Sequence, residues 1–247
     1  MALDRFSAQA TAYARFRITY PAALYAWLLP LVSGRGRAWD CATGNGQVAV
    51  VLADYFAQVE ATDLSGQQLA QAPARSNVRY QPATAEQTPF PAAHFDLITV
   101  GQAVHWFDLP AYHRELRRVA RPGAVLAEWG YGLLRTDDAD INQVLDHFHD
   151  ITTGPYWDSN RWHITEEYAR LPFPGEAVHT AHFGVPGRWR VADLLGYLRT
   201  WSAAGNYARQ HEGADVVALV EDELTRRWGP GERAVTTPVF ARAGRVA

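Results

Sequence analysis

The chain has 247 residues and a mass of 27.5 kDa, which at about 150 residues per domain gives one or two domains and excludes a small disulfide-stapled scaffold. Hydrophobic residues make up 48% and charged residues 20%, the balance of a folded globular chain rather than a disordered one. Basic residues number 23 against 26 acidic ones, for a net charge of −3, which argues against a nucleic-acid partner held mainly through its phosphates.

All of the basic residues are Arg, and Lys is absent. A Schiff-base lysine, a lysine general base and a Walker lysine are thereby excluded. A lone cysteine, Cys41, rules out a disulfide framework and multi-cysteine metal centres, and it is compatible with a reducing cytoplasm. Residues 22–32 are apolar but are broken by Pro30 and are too short to span a bilayer. Arg5, Arg15 and Arg17 precede them in the manner of a signal peptide. Ser33-Gly34-Arg35-Gly36, however, leads straight into the first core strand. The segment therefore reads as a helix packed on its own domain in a cytoplasmic protein without a membrane partner.

Strands and helices then alternate. Residues 37–40 form a short apolar run that ends on an acid, and a glycine turn and a helix over 47–56 follow. A strand is predicted over 58–62 and a helix over 65–71 with Ser65 as its cap and Pro73 beyond it. Strands follow over 78–81 and, rich in β-formers, over 95–100. A helix over 110–120 opens on a proline and stops at Arg121-Pro122-Gly123, ahead of a fifth strand over 124–129. This alternation indicates a parallel sheet covered on both faces. The pattern then loosens into a helix over 137–151, an irregular Pro-, Gly-, Trp- and Tyr-rich stretch over 152–175, and an alternating run over 177–185. Helices over 191–203 and 213–228 and a last strand over 235–241 complete the chain.

The sharpest feature is Asp40-Cys41-Ala42-Thr43-Gly44-Asn45-Gly46, between a strand and a helix. Small residues let the backbone turn tightly and let a ligand approach main-chain N–H groups at a helix start. Asp63 follows at the end of the second strand, where an acid can accept the hydroxyls of a ribose. Two ligands suit this pattern. The run from Gly44 to Ala49 matches the dinucleotide fingerprint. Asp40, however, would repel a pyrophosphate and attract the ammonium and sulfonium of S-adenosylmethionine. The charges favour the methyl donor, with a nicotinamide-dependent oxidoreductase as the alternative.

These residues resemble the class I S-adenosylmethionine-dependent methyltransferases, and within them the type-11 branch that includes trans-aconitate methyltransferase-like proteins. Thr84-Ala85-Glu86-Gln87-Thr88-Pro89-Phe90 is similar to the family's adenine-side loop. The run from Gln102 to Asp108 is similar to a segment distinctive of the branch, and the run from Tyr13 to Pro21 to its N-terminal lid. The resemblance implies a doubly wound, mostly parallel, seven-stranded Rossmann-like α/β sheet with an antiparallel last hairpin. It implies a single domain over 1–247: a helical lid at 1–33, a cofactor core at 34–134, an insertion or substrate cap at 135–176, and a C-terminal part at 177–247 completing the sheet. It also implies methyl transfer from S-adenosylmethionine to a small-molecule acceptor, with S-adenosylhomocysteine as product, by a monomer or homodimer. A non-catalytic protein that binds the same cofactor is the remaining alternative.

By the same resemblance, Asp40 reaches the amino end of the cofactor while Ala42, Thr43 and Gly44 line its methionine and ribose part. Asp63 binds the ribose hydroxyls, and Leu64 lies against the adenine. Thr84, Ala85 and Glu86 border the adenine, and Gly101, Gln102 and Ala103 lie by the methionine end. Ala42 stands where relatives carry glycine, and Thr84 where many carry Asp. His105, past the central strand, is the candidate catalytic base for a phenol, hydroxyl or amine, or else a histidine that packs a turn beside Trp106. A carboxylate acceptor needs no base but an arginine to hold it. Tyr13, Arg17, Tyr20, Trp106 and Trp201 are lid or substrate candidates. Tyr156, Trp157 and Trp162 could also roof an apolar pocket, and Arg161 and Arg199 could clamp an anion. The histidine pairs His147 with His149 and His179 with His182 diverge on their elements, so no metal is expected.

Overall fold

The computed structural model describes residues 18–246; Tyr13 and Arg17 lie outside the described residues. After α1 (Ala22–Leu28), the chain alternates β1 (Arg37–Cys41), α2 (Gln47–Leu52), β2 (Gln58–Asp63), α3 (Gly66–Leu69), β3 (Val78–Pro82), β4 (Phe95–Gly101), α4 (Leu109–Val119) and β5 (Ala120–Tyr131). These five strands are parallel in the order β3-β2-β1-β4-β5. Then come β6 (Arg135–Thr136), α5 (Ala139–His147), α6 (Trp162–Thr165), β7 (Gly175–Trp189), α7 (Val191–Arg199), α8 (Ser202–Gln210), α9 (Ala218–Trp228) and β8 (Arg233–Val246). β8 is antiparallel and lies between β5 and β7, and the two-residue β6 pairs with it beyond the end of β5. The sheet has eight strands instead of the expected seven, the addition being that short bridge.

Strand alternation sends one set of side chains to each face. Ala38, Leu97, Val125, Ala127 and Trp129 pack against α1 and α2, while Trp39, Ile98, Val100 and Leu126 pack against α4 and the Ile164–Leu171 stretch. At the amino-terminal edge Asp96 accepts hydrogen bonds from the Gly36 and Arg37 N–H groups and from Arg121, each at 2.8 Å. A Cβ at Gly34 would stand 2.6 Å from its carboxylate. The run at 33–36 is glycine-rich to let this acid tie β1 to β4. β5 begins earlier than expected because Arg121-Pro122-Gly123 is a bulge within it, with Gly123 at φ 78°.

The helices of the second half are shorter than their patterns. The run over 137–151 is capped by Asp138, whose Oδ1 accepts from Asp140 and Ile141 N–H, and it widens into a π turn at Phe148–Thr152. The run over 191–203 breaks at Thr200 because Trp201 is extended, and its ring packs against Phe148, Trp157 and Tyr197 at 5.7, 5.3 and 5.9 Å. The run over 213–228 is helical only from Ala218. Ile141, Leu145 and Phe148 share one core with α7 and α9. α5 and the later helices thus form a common helical layer beside the sheet, while Ile164, Tyr168 and Leu171 join the core of the sheet itself.

Candidate active site

Strand order reverses between β1 and β4, and open α/β sheets bind ligands beyond the carboxyl ends of their strands at such a reversal. The residues singled out in sequence converge there. Asp40 is buried at the end of β1 and accepts hydrogen bonds from the hydroxyls of Thr43 and Thr99, the latter at 2.9 Å. The following turn places Ala42, Gly44 and Gly46 at φ 55°, 57° and 83°. Alanine in that region costs roughly 1–2 kcal/mol, so the local structure maintains the glycine-like turn despite the methyl group. A Cβ on Gly46 would lie 2.6 Å from the Tyr80 hydroxyl.

Asp63 braces the turn from the neighbouring strand. Its two oxygens accept from the Gly44 and Ser65 N–H groups, both at 2.8 Å. Leu64, next to it, is 47% exposed, an apolar side chain left open at the mouth of the crevice. Ala85 is buried, Thr84 Oγ1 accepts from Gln87 N–H at 3.1 Å, and Glu86 accepts from Asp108 N–H at 3.1 Å. Past β4, a Cβ at Gly101 would lie 3.0 Å from the Trp129 indole nitrogen and 3.2 Å from the Tyr20 hydroxyl. Gln102 takes φ 57°, and its side-chain oxygen accepts from Tyr131 N–H at 2.7 Å, which joins the ends of β4 and β5. Ala103 leads into a short 3-10 turn, Val104–Trp106.

His105 sits in that turn and is buried. Its carbonyl accepts from Asn160 at 2.7 Å, and its Nδ1 lies 3.3 Å from the Tyr168 hydroxyl. Burial, then the charges of Arg161 and His163, lower its pKa to about 3. Its ring lines a pocket of about 90 Å³ together with Gln102, Trp106, Trp157, Arg161 and Trp201. Arg161 holds its guanidinium 5.0 Å from the Trp157 ring, and burial lowers its pKa.

Other sequence candidates lie elsewhere. Arg199 is on the surface, paired with Asp215 and Glu221. Trp162 is exposed beneath Arg170, and Tyr156 packs on Tyr207 and His211. Burial pushes the Cys41 thiol pKa up, and nearby carboxylates add to the effect, so it is a packing residue rather than a nucleophile. Among the described residues no group of three or more His, Cys, Asp or Glu side chains is placed to hold a metal. No helix among them is long and apolar enough to cross a membrane.

Sequence reasoning missed Asn160, Tyr168 and the pair Glu128–Arg242. Glu128 and Arg242 face each other in register on β5 and β8. The carboxylate is fully buried, accepts from Arg242 Nε at 2.8 Å and stands 2.6 Å from Nη2 as an ion pair. Arg242 also donates to the Tyr168 and Leu171 carbonyls at 3.0 and 2.8 Å. It thereby fixes the segment that carries the hydroxyl on His105. The signal was present: one acid and one base, each set inside an apolar strand.

The family model described as a methyltransferase domain matches residues 39–127, from β1 through most of β5. A Dictyostelium discoideum protein named as a methyltransferase is 30% identical over 228 residues, covering 91% of this chain and 86% of that one. The chain belongs to the S-adenosylmethionine-dependent methyltransferases. The structure of a type II methyltransferase from Anaeromyxobacter dehalogenans has a TM-score of 0.84 at 41% identity, over 94% of this methyltransferase and 98% of the other. The malonyl-[acyl-carrier protein] O-methyltransferase of Enterobacter lignolyticus is 39% identical over 197 residues, or 76% and 71% of the two chains. Family membership decides between the two ligands that the glycine turn left open, and the oxidoreductase alternative falls away. The residues also fit the methyl donor: a buried acid ends β1, a second acid braces the turn, and small residues at Gly46 and Gly101 keep the approach open.

Proposed function

We propose that this methyltransferase transfers the methyl group of S-adenosylmethionine to a small-molecule acceptor seated against His105. The observation that carries the reading is the position of Gln102. It closes the β4–β5 end of the crevice and also lines the aromatic pocket, so the donor and acceptor spaces meet at one residue. When bound, the cofactor supplies a methyl group made electrophilic by its sulfonium. The chain's own task is to align the acceptor and exclude water. Asp40 faces the amino end, and Asp63 takes the ribose hydroxyls with Leu64 against the adenine. Ala85 and Glu86 border the adenine, and Gly101, Gln102 and Ala103 border the methionine end. His105, neutral and a weak proton acceptor, serves as a hydrogen-bonding wall of the acceptor pocket. The Enterobacter relative's name specifies an O-methyltransferase, which supports oxygen as the receiving atom.

Calorimetry with S-adenosylmethionine and S-adenosylhomocysteine tests this reading. Binding in the micromolar range is expected, about −8 kcal/mol. Asp63→Ala removes a charged acceptor and the brace on Gly44, so it should weaken both ligands by about 1.5–3 kcal/mol. Undiminished binding by that variant would remove Asp63 from the cofactor site, and no binding by the folded wild type would overturn the reading.

A further inference from the structure

We infer that the acceptor is a small monocarboxylic acid, held by Arg161 and methylated on its carboxylate oxygen. The inference rests on the methyl-transfer reading above and deepens it. Arg161 has no counter-ion in the fold: among the described residues its side chain makes no hydrogen bond or ion pair, and its Nη1 is sealed from solvent without a partner. It lies instead on the wall of the aromatic pocket, against Trp157. No Asp or Glu lines that pocket. Arg161 as a whole is half-buried, but a guanidinium nitrogen sealed from water without a counter-charge is costly and persists where an anionic ligand completes it. The guanidinium fork matches a carboxylate and repels an amine.

The remaining walls define the rest of the acceptor. Trp106, Trp157 and Trp201 offer apolar faces, and Arg161 is the only cation among the lining residues. One positive charge suits one carboxylate on an apolar or flat body. The volume of about 90 Å³ is below the roughly 150 Å³ of a cavity that takes benzene. The carboxylate end therefore enters the pocket while the body rests on the aromatic rim. The step balances without a base. One carboxylate oxygen forms the new O–CH3 bond as the S–CH3 bond breaks, the bonding pair stays on sulfur as a neutral thioether, and no proton leaves. A hydroxyl or phenol would need a proton acceptor, and His105, with its Nδ1 against Tyr168, is a poor one.

The test begins with the S-adenosylhomocysteine isotherm. Its absence overturns the cofactor reading, and the acid titration on the free protein then tests Arg161 by itself. Acetate, butyrate, benzoate and phenylacetate are titrated into the loaded protein, followed by tryptophan fluorescence, with phenylacetamide as the neutral counterpart. At least one acid should bind, with phenylacetate at least about tenfold tighter than its amide. Arg161→Gln should abolish that preference and Arg161→Lys restore part of it, both with unchanged affinity for S-adenosylhomocysteine. Because Arg161→Gln removes an uncompensated charge, its melting temperature should equal or exceed that of the wild type. With labelled methyl donor, mild alkali should release the label from the product as methanol. Binding of none of the acids, equal binding of acid and amide, a preference that survives Arg161→Gln, a lowered melting temperature, or an alkali-stable product would each overturn the inference.

Discussion

Arg242→Met is expected to destabilise the folded protein by about 3–5 kcal/mol, the usual result of stripping one partner from a buried ion pair. The loss is large because Glu128 is fully buried. Burial pushes its carboxyl pKa up, and the charge and hydrogen bond of Arg242 work against that. Without the guanidinium the carboxyl takes up a proton more readily, so the deficit should be smaller in mildly acidic than in mildly alkaline buffer. The double variant Glu128→Leu/Arg242→Met should recover most of the stability, since apolar residues of similar volume often replace a buried pair without loss. It should not recover acceptor binding, because the carbonyls of Tyr168 and Leu171 lose their anchor. Urea unfolding midpoints of the single and double variants check the first claim. A double variant as unstable as Arg242→Met would show that the pair stabilises the sheet through more than its own neutralisation.

Acid should weaken the protein through His105. In the unfolded chain its imidazole titrates near 6.5, whereas in the folded protein it resists a proton until about 3. Between those values the unfolded state holds the extra proton, so stability falls as the pH falls, by about 1.4 kcal/mol per pH unit from this residue. Above 6.5 the contribution is complete. Burial also lowers the pKa values of His94, His113, His149 and His163, and these act in the same direction in every variant. The comparison is therefore between wild type and His105→Gln, whose stability should decline less steeply. Parallel declines in urea midpoint across the acid range would mean that His105 accepts its proton without strain on the fold.

The parallel half of the sheet was legible because its signals are local. Two-residue alternation, a proline at the start of α4, the Ser65 cap and the glycine turn each lie within a few neighbouring residues. The strand ends that carry Asp40, Asp63 and the residues after β4 were legible for the same reason. The surroundings of the proposed acceptor pocket were less so. His105 meets Tyr168 across 63 positions and Asn160 across 55, separations that leave no periodic trace. The break before α8 depends on where the Trp201 ring finds its partners, which helix propensity cannot report. Arg161 and Arg199 looked alike in sequence. Only the fold separates the one beside Trp157 from the one paired with Asp215 and Glu221.

The interior position of β8 sets a condition on synthesis. β5 ends at Tyr131, and the strand that covers its free edge begins at Arg233. A ribosome adding about 5–20 residues per second needs several seconds or more to make the stretch between them. Through that interval the nascent sheet carries an unpaired edge whose residues from Ala124 to Gly130 are all buried once folding is complete, a template for pairing with other nascent chains. Yield in a cell should therefore depend on holdase chaperones more than the equilibrium stability of the finished enzyme implies.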